Sequence, residues 1–533
     1  MSDTIEIYDS TLRDGAQAEG ITYSLEDKLL IARRLDQLGV HYIEGGWPNP
    51  TNPKDLSFFR EAAKLNLRAR VTAFGSTRRA DRRPAEDEIL NTLLRAETQS
   101  VCIFGKSWTL HVEAALRIPL DENLRLIEDS VAYLVGQGRE VIYDAEHFFD
   151  GHQADPQYAL QTLRAAQRGG ARLLVLCDTN GGTLPRDVES ILRQVKEQVA
   201  HPFGIHTHND AGMGAANSVV AVELGAVQVQ GVFNGYGERC GNANLCTLLP
   251  TLELKLGKRT IGREKLRELM DLSRFLSEIA NVYHDHRQPY VGESAFAHKG
   301  GVHIDAMLKD PRCYEHCDPE AVGNERRFLV SDQSGGSTIA SKLAQVCPGL
   351  NKRDPLAQKM LAEVKRLEHE GYQFEAAEGS FELLARRAMD AYQDQFRLVN
   401  FRTITHSAPG LASAEAILKV EAGGQVHHTV AEGDGPVNAL DQALRKALEP
   451  LFPCLRQVHL EDYKVRVLSS SDGTAARVRV LIESSDGRDS WGTVGVSENI
   501  IEASWIALAD SLHFKLMREA AQQASSTSQA AGR

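Results

Sequence analysis

The feature that most constrains the fold is an alternation of short apolar segments with amphipathic ones through the first half of the chain. Eight short segments are typical of buried strands, and each precedes a stretch with apolar residues at helical spacing. The strands are predicted at residues 5–8, 42–44, 70–74, 100–104, 140–144, 173–177, 204–207 and 227–233. Eight strand–helix pairs predict an α/β fold, a (β/α)₈ TIM barrel, for residues 1–275. An open doubly wound sheet would carry a glycine-rich phosphate loop after an early strand, and the sequence has none there.

Polar side chains recur where the predicted strands end. Arg13 and Asp14 follow the first strand, and His206 and His208 close the seventh. Since side chains alternate faces along a strand, the two histidines point the same way. Two imidazoles and a carboxylate are common ligands of a divalent metal. The carboxyl ends of barrel strands share one face, so we expect a metal site with an arginine beside it, suited to an anionic small molecule.

Composition narrows the class of protein. The 533 residues are enough for several domains, and 42% of them are hydrophobic. The net charge of −12 argues against a nucleic-acid surface, and no apolar run approaches membrane-spanning length. The eight cysteines lack metal-binding spacing, and the amino-terminus does not resemble a signal peptide. We therefore expect a cytoplasmic protein that binds neither nucleic acid nor membrane.

The chain changes character after the predicted barrel. Residues 276–395 indicate a mostly helical connecting subdomain, and within 396–517 an order of three strands and a helix occurs twice. Matching residues lie 64 positions apart, as in the pairs Thr429 and Thr493, Ala439 and Ala503, Ala443 and Ala507. This spacing predicts a duplicated βββα domain with a role in regulation or dimerisation. The Ala-, Gln- and Ser-rich segment 518–533 is predicted to be a disordered tail.

Four longer motifs resemble one family of enzymes. They are STLRDGAQ at 10–17, HTHND at 206–210, GYGERCGNA at 235–243 and FAHKGGVHID at 296–305. In this order they resemble the isopropylmalate, homocitrate and citramalate synthases, which condense acetyl-CoA with a 2-oxo acid. Ala16, the GGWP turn at 45–48 and the segment DAEHFFDG at 144–151 are most similar to the citramalate synthase branch.

The resemblance implies an activity. It is the metal-dependent Claisen condensation of acetyl-CoA with pyruvate, followed by hydrolysis to (R)-citramalate and CoA, in isoleucine biosynthesis. Three alternatives stay open: 2-isopropylmalate synthesis from 2-oxoisovalerate in leucine biosynthesis, a lyase or aldolase that does not condense acetyl-CoA, and a metabolite-sensing homologue without activity. The C-terminal repeats are expected to bind isoleucine at the interface of a homodimer.

The resemblance also implies roles for individual residues. The expected ligands of the metal, which the sequence does not identify among Mn, Mg, Zn and Co, are Asp14, His206, His208 and Asn242. Arg13 is expected to stabilise the alkoxide that forms on the 2-oxo acid. Glu146 and His303 are expected to supply the general base that removes a methyl proton from acetyl-CoA.

Further residues are predicted to line the site. The predicted substrate-binding residues are Arg13, Gln17, Glu44 and Thr179, with Trp47 and Phe104 as hypothesised parts of the pocket wall. The glycines Gly235, Gly237 and Gly241 are expected in a loop that receives acetyl-CoA, because glycine permits close backbone approach. A plain glycine-rich turn is an equally good interpretation of each glycine taken alone.

Overall fold

The computed structural model describes residues 3–49, 53–330, 336–344, 353–408, 411–468 and 476–531. These residues belong to two compact units. One unit consists of Met1–Phe296 and His316–Arg326, and the other of Ala297–Glu315 and Arg327–Arg533. None of the helices in the described ranges is both long and apolar enough to cross a bilayer.

Eight parallel strands close into a barrel in the first unit, which confirms the predicted fold. They are β1 (Glu6–Asp9), β2 (Tyr42–Gly46), β3 (Arg70–Ser76), β4 (Ser100–Lys106), β5 (Glu140–Glu146), β6 (Leu173–Asp178), β7 (Phe203–Thr207) and β8 (Gln228–Gly231). The barrel closes where β8 pairs with β1, with Gln230 opposite Tyr8. Because the strands are parallel, their carboxyl ends and the segments that follow them meet at one face.

Helices follow the strands as the apolar spacing predicted, and a short additional helix, Phe148–Ala154, lies between the fifth strand and the helix predicted after it. They are α1 (Leu25–Leu38), α2 (Pro53–Ala62), α3 (Glu88–Arg95), α4 (Leu120–Gly136), α5 (Phe148–Ala154), α6 (Pro156–Gly169), α7 (Pro185–Gln198), α8 (Gly214–Glu223), α9 (Leu245–Pro250) and α10 (Leu269–Ile279). Helix α1 begins with a capping box between Ser24 and Asp27. Helix α9 ends at Pro250, and a π-helical turn follows at Thr251–Lys255. Proline supplies no backbone N–H to continue the helical hydrogen bonds.

Charge pairs fill the amino-terminal end of the barrel. Arg70 lies 2.8 Å from Glu140 and Arg172 lies 3.5 Å from the same carboxylate, while Arg172 also pairs with Glu6. The Tyr42 hydroxyl donates to Glu140 at 2.9 Å. These groups neutralise one another at the end of the barrel opposite the strand ends that carry Arg13 and His206.

The second unit contains the predicted duplication. Its elements are β9 (Ala297–His298), α11 (Gly301–Met307), β10 (Arg327–Phe328), α12 (Gly336–Ala344), α13 (Pro355–His369), α14 (Glu378–Ala388), β11 (Phe396–Ala408), β12 (Leu411–Ala422), β13 (Gln425–Gly433), α15 (Pro436–Leu448), β14 (His459–Val467), β15 (Val478–Ser485), β16 (Ser490–Ser497) and α16 (Ile500–Ala531). Strands β11–β13 and β14–β16 form two separate antiparallel sheets. Thr429 donates to the Ala443 carbonyl at 2.8 Å, and Thr493 donates to the Ala507 carbonyl at the same distance. The two copies therefore share a contact as well as a topology.

Two details differ from the sequence predictions. The segment 518–533 was predicted to be disordered, but α16 continues to Ala531, and the last two residues lie outside the described ranges. Ala and Gln are good helix formers, so extending an existing helix through them costs little. The predicted domain boundary at residue 275 falls within α10, whose Leu272 and Leu276 are buried in the barrel core, and the first unit continues to Phe296.

Candidate active site

Three of the predicted metal ligands meet at the carboxyl end of the barrel. The Nε2 atoms of His206 and His208 lie 3.4 and 3.7 Å from Asp14 Oδ2, and they lie 3.4 Å from each other. All three residues are buried. Ligand atoms about 2.1 Å from a tetrahedral cation are about 3.4 Å apart, so the spacing of these atoms matches one shared cation.

The protonation of this cluster follows from its burial and its charges. Burial alone would raise the pKa of the Asp14 carboxyl, but the charge of Arg13 and a hydrogen bond with His206 hold that pKa well below its usual range. Burial and the neighbouring His206 lower the pKa of His208 to about 4. Asp14 is therefore an anion, and His208 is a neutral imidazole with a lone pair to offer at neutral pH.

Asn242 lies next to this cluster, on the loop after β8. Its backbone forms a bridge with His208, and its side-chain amide donates to the Tyr236 carbonyl at 3.1 Å. Its Oδ1 atom is buried and has no hydrogen-bond partner within the described ranges. A buried oxygen left unpaired is costly, and a cation would satisfy it. One carboxylate, two imidazoles and this amide oxygen form a donor set that fits a divalent cation.

The three predicted acetyl-CoA glycines shape the loop that carries Asn242. Gly235, Gly237 and Gly241 have φ angles of 69°, 148° and 80°. A side chain at Gly237 would collide with the Asn242 amide, and one at Gly241 would collide with the Gly235 carbonyl oxygen. The close approach that these glycines permit is therefore between the two halves of the loop itself. Their contact with acetyl-CoA stays a prediction.

Arg13 is held beside the metal cluster by three neighbours. Its Nε atom lies 2.5 Å from Glu44 Oε2, and its Nη1 atom lies 3.4 Å from Asp14 Oδ2. Its guanidinium carbon stands 3.7 Å from the centroid of the Phe74 ring. The ion pair and the aromatic face fix both the position and the tilt of the guanidinium.

Glu44 is the anchor of Arg13. It is fully buried, and its carboxylate accepts hydrogen bonds from the Tyr8 hydroxyl at 2.6 Å and from the Ser10 hydroxyl, in addition to Arg13. Both of its oxygens are thus engaged by protein donors. The structure places Glu44 behind Arg13, and direct contact with a substrate stays a prediction.

An aromatic cluster forms one side of the site. Trp47 meets Phe74 and Phe104 edge to face, with ring centroids 5.6 and 5.5 Å away, and Phe74 stacks on Phe104 at 5.5 Å. A cavity of about 320 Å³ is lined in part by Gln17, Trp47 and Arg13. The two hypothesised wall residues therefore contact each other, and Phe74 joins them to Arg13.

A buried ion pair fixes the backbone of this wall. Lys28 Nζ lies 2.6 Å from Asp55 Oδ1 and donates to the Gly45 carbonyl at 3.0 Å. The other Asp55 oxygen accepts the Trp47 backbone N–H at 3.0 Å. Helices α1 and α2 thus hold the turn that presents the Trp47 ring.

Glu146 and Thr179 lie at the ends of neighbouring strands of the same face. Glu146 ends β5 and pairs with Lys106, the last residue of β4. The Thr179 hydroxyl accepts the His147 N–H at 2.8 Å, and its own proton can be donated to a ligand.

His303 belongs to the second unit. It lies in α11, and its ring stacks on Tyr314 with centroids 4.2 Å apart. Its role in catalysis stays a prediction.

Sequence reasoning missed three residues of this site. Lys106 and Phe74 are the partners of Glu146 and Arg13, and Gln230 accepts a hydrogen bond from His206 at 2.9 Å. A signal existed for Lys106, because it is a charged residue at the end of a predicted strand. Phe74 and Gln230 carry no such signal, since their contacts join residues on different parts of the chain.

Comparison with known proteins places the chain in a family. It matches the HMGL-like family over residues 4–275, the homocitrate synthase post-HMGL domain-like family over 290–372, and the LeuA allosteric (dimerisation) domain over 375–516. It is 53% identical over 515 residues to the (R)-citramalate synthase of Geobacter sulfurreducens, covering 96% of this chain and 97% of the relative. It is 52% identical over 523 residues to the (R)-citramalate synthase of Aquifex aeolicus, covering 97% and 99%. A probable 2-isopropylmalate synthase from Methanopyrus kandleri is 30% identical over 508 residues, covering 95% and 97%. The chain therefore belongs to the HMGL-like family and, within it, to the citramalate synthase branch of the isopropylmalate, homocitrate and citramalate synthases.

Proposed function

We propose that this enzyme condenses acetyl-CoA with pyruvate and hydrolyses the thioester product to (R)-citramalate and CoA, in a metal-dependent reaction that serves isoleucine biosynthesis. The observation that carries the proposal is the buried cluster of Asp14, His206 and His208 with the Arg13 guanidinium 3.4 Å from the Asp14 carboxylate. A cluster of metal ligands beside a fixed cation suits a small 2-oxo acid. The named relatives support pyruvate over 2-oxoisovalerate, because the citramalate synthases are 52–53% identical and the isopropylmalate synthase 30%.

The metal would be held by Asp14, His206, His208 and Asn242. A divalent cation bound there would act as a Lewis acid toward the keto group of the 2-oxo acid. The protein groups around it then have separate tasks. The low pKa of Asp14 keeps its carboxylate charged without a proton to displace.

Arg13 stabilises the negative charge that develops on the keto oxygen when the carbon nucleophile attacks. A guanidinium is always charged and donates from a rigid plane, so its effect depends on being aimed in advance. The Glu44 ion pair and the Phe74 ring supply that aim. The Thr179 hydroxyl and Gln17 are assigned to the carboxylate of the 2-oxo acid, as hydrogen-bond donors.

Glu146 is assigned to proton removal from the methyl group of acetyl-CoA. It ends β5 at the catalytic face, and its Lys106 partner orients the carboxylate. His303 is assigned to the same proton transfer on the resemblance of its motif. Each assignment has its own test, because Glu146→Gln and His303→Asn should each slow exchange of the acetyl-CoA methyl protons. Methyl exchange at the rate of the unaltered enzyme would remove that residue from the step.

The second unit is assigned to dimerisation and feedback. The match to the LeuA allosteric (dimerisation) domain over residues 375–516 supports an allosterically regulated homodimer, and isoleucine is the effector expected from the resemblance to the citramalate synthases. Isoleucine should lower the activity of the full chain, and leucine should not. If isoleucine changed neither the activity nor the oligomeric state of the protein, this part of the proposal alone would be wrong.

A thiol-release assay tests the activity. Purified enzyme is incubated with acetyl-CoA and, in turn, pyruvate, 2-oxobutyrate, 2-oxoisovalerate and 2-oxoglutarate, with and without a chelator. Thiol release should be fastest with pyruvate, should stop with the chelator, and should return on adding Mn, Mg, Zn or Co, which identifies the working metal. Preference for 2-oxoisovalerate would assign 2-isopropylmalate synthesis instead. Asp14→Asn should abolish both metal binding and the reaction.

A further inference from the structure

A chain of three buried side chains leads from the metal cluster into the centre of the barrel. His206 Nδ1 lies 2.9 Å from Gln230 Oε1, on the side of the ring away from Asp14 and His208. The amide nitrogen of Gln230 lies 3.1 Å from Asp144 Oδ1. Gln230 is fully buried, and His206 and Asp144 are 5% and 4% exposed. Water therefore does not compete for these contacts.

The positions of the protons on His206 and Gln230 follow from the charge of Asp144. Burial raises the pKa of the Asp144 carboxyl to about 6, so at about pH 8 it is ionised and can only accept hydrogen bonds. Gln230 must then turn its NH₂ group toward Asp144 and its carbonyl oxygen toward His206. A carbonyl oxygen requires a donor, so the proton of His206 is on Nδ1. Nε2, which faces Asp14 and His208, is then the nitrogen that offers a lone pair when a cation replaces its hydrogen bond to Asp14.

Within the described residues, no side chain holds His208 in the way that Gln230 holds His206. Its Nδ1 atom is buried and without a hydrogen-bond partner in the part of the chain that the structure describes. The backbone pairing of β7 with β8 places Gln230 directly beside His206 but not beside His208. The two imidazoles of the cluster are thus oriented by different means, and within the described residues it is His206 whose Nδ1 atom is linked, through Gln230, to a second carboxylate.

We propose that Gln230 and Asp144 are positioning residues that fix the tautomer and the ring orientation of His206 for a divalent cation. This inference rests on the metal site of the proposed function. Groups that hold the far nitrogen of a ligating histidine commonly change metal affinity by roughly 10- to 100-fold when they are removed. We expect a loss of that size, with the fold retained.

Strand β8 contains a second glutamine that serves as a matched control. Gln228 is also fully buried in β8, and its amide donates to Glu6 at 3.3 Å, at the other end of the barrel. Gln228→Met and Gln230→Met therefore make the same chemical change in neighbouring layers of the barrel interior. Asp144→Asn is the second variant, because it keeps the shape of the side chain while removing the charge that orients Gln230.

The experiment measures the dissociation constant of Zn or Mn for the metal-free full-length protein, by competition with a chromophoric chelator at about pH 8. Gln230→Met should weaken binding roughly 10- to 100-fold and Asp144→Asn in the same direction, while Gln228→Met should stay within about threefold of the unaltered protein. Thermal unfolding of the metal-free proteins shows whether a variant is folded. An ¹⁵N-histidine spectrum should report an Nδ1–H tautomer for His206, and it should lose that signature in Gln230→Met.

Two results would overturn the inference. One is unchanged metal affinity in Gln230→Met and Asp144→Asn, and the other is an equal loss in Gln228→Met, which would indicate general damage to the barrel. Failure of the unaltered protein to bind any of the metals is a different outcome, because it would overturn the metal site of the proposed function and this inference together.

Discussion

Replacing Glu44 with glutamine should separate the charge of this residue from its shape. Glu44 is fully buried, and its two oxygens accept from Tyr8, Ser10 and Arg13. Glutamine has the same size and keeps one acceptor oxygen. If that oxygen faces Ser10 and Arg13, the NH₂ group faces the Tyr8 hydroxyl, which can accept as well as donate. The hydrogen bonds can therefore be preserved while the negative charge is lost.

The expected magnitude follows from what remains around Arg13. Removing one partner of a buried ion pair costs about 3–5 kcal/mol, because the other charge is left buried and uncompensated. Arg13 keeps Asp14 at 3.4 Å and the face of Phe74 at 3.7 Å, so we expect the lower end of that range. About 3 kcal/mol corresponds to roughly 150-fold in a rate or equilibrium constant.

Two measurements show where this loss falls. If Arg13 stays in place, the cost appears as a lower midpoint of unfolding. If it swings away from Phe74, the cost appears in kcat/KM for pyruvate in the thiol-release assay. The control is Glu140→Gln at the other end of the barrel. Its side chain is 23% exposed and its partners Arg70 and Arg172 are 45% and 33% exposed, so its loss should cost less than the loss at Glu44. A Glu44→Gln enzyme with both the stability and the kcat/KM of the unaltered enzyme would refute the argument that Arg13 depends on this charge.

Three further perturbations test other parts of the first unit. Burial raises the pKa of the Asp9 carboxyl to about 7. Above about pH 4 the unfolded chain therefore loses a proton that the folded chain keeps. The free energy of unfolding should fall between about pH 4 and pH 7, by as much as about 4 kcal/mol. Asp9→Asn should remove this fall, and a stability difference between variant and parent that is constant from pH 4 to 8 in urea unfolding would contradict it. Phe104→Ala should open the aromatic wall and raise kcat/KM for 2-oxobutyrate relative to pyruvate by roughly 10-fold or more, and an unchanged ratio would remove Phe104 from the wall. Lys28→Met should shift the ratio of kcat/KM for 2-oxobutyrate to that for pyruvate, because it loosens the turn that carries Trp47. The control is Lys515→Met, which breaks a buried ion pair of 2.8 Å in the second unit. It should lower stability and leave this ratio unchanged.

The barrel could be predicted from sequence because its signals are local. Each strand is a short apolar run, each helix has a 3.6-residue period, and the start of α1 is marked by Ser24 and Asp27. The placement of Asp14 near His206 required only one further step. Parallel strands bring their carboxyl ends to one face, and β8 alone separates β7 from β1.

The supporting residues could not be predicted in this way, because their contacts depend on which side chains meet across the closed barrel. Phe74 is one of several aromatic residues that alternate into a core, and no local pattern marks it as the platform under Arg13. Gln230 is one of two buried glutamines in β8, and what distinguishes it from Gln228 appears only when β8 is paired with β7. The Lys106 partner of Glu146 required the register of β4 against β5.

The charges in the upper part of the barrel give a further reason to expect a divalent cation there. Asp14, Glu44 and Asp144 are all buried carboxylates, and Arg13 is the fixed cation paired with two of them. With neutral histidines this group carries a surplus of two negative charges in a region of low dielectric, which is costly. Burial raises the pKa of Asp144, and a hydrogen bond to Asp14 outweighs burial and raises the pKa of His206, so both groups favour protonation. A divalent cation would balance the same surplus without those protons. Metal binding and the ionisation of Asp144 therefore favour each other, and the carboxylate that orients His206 is most completely charged when the metal is bound.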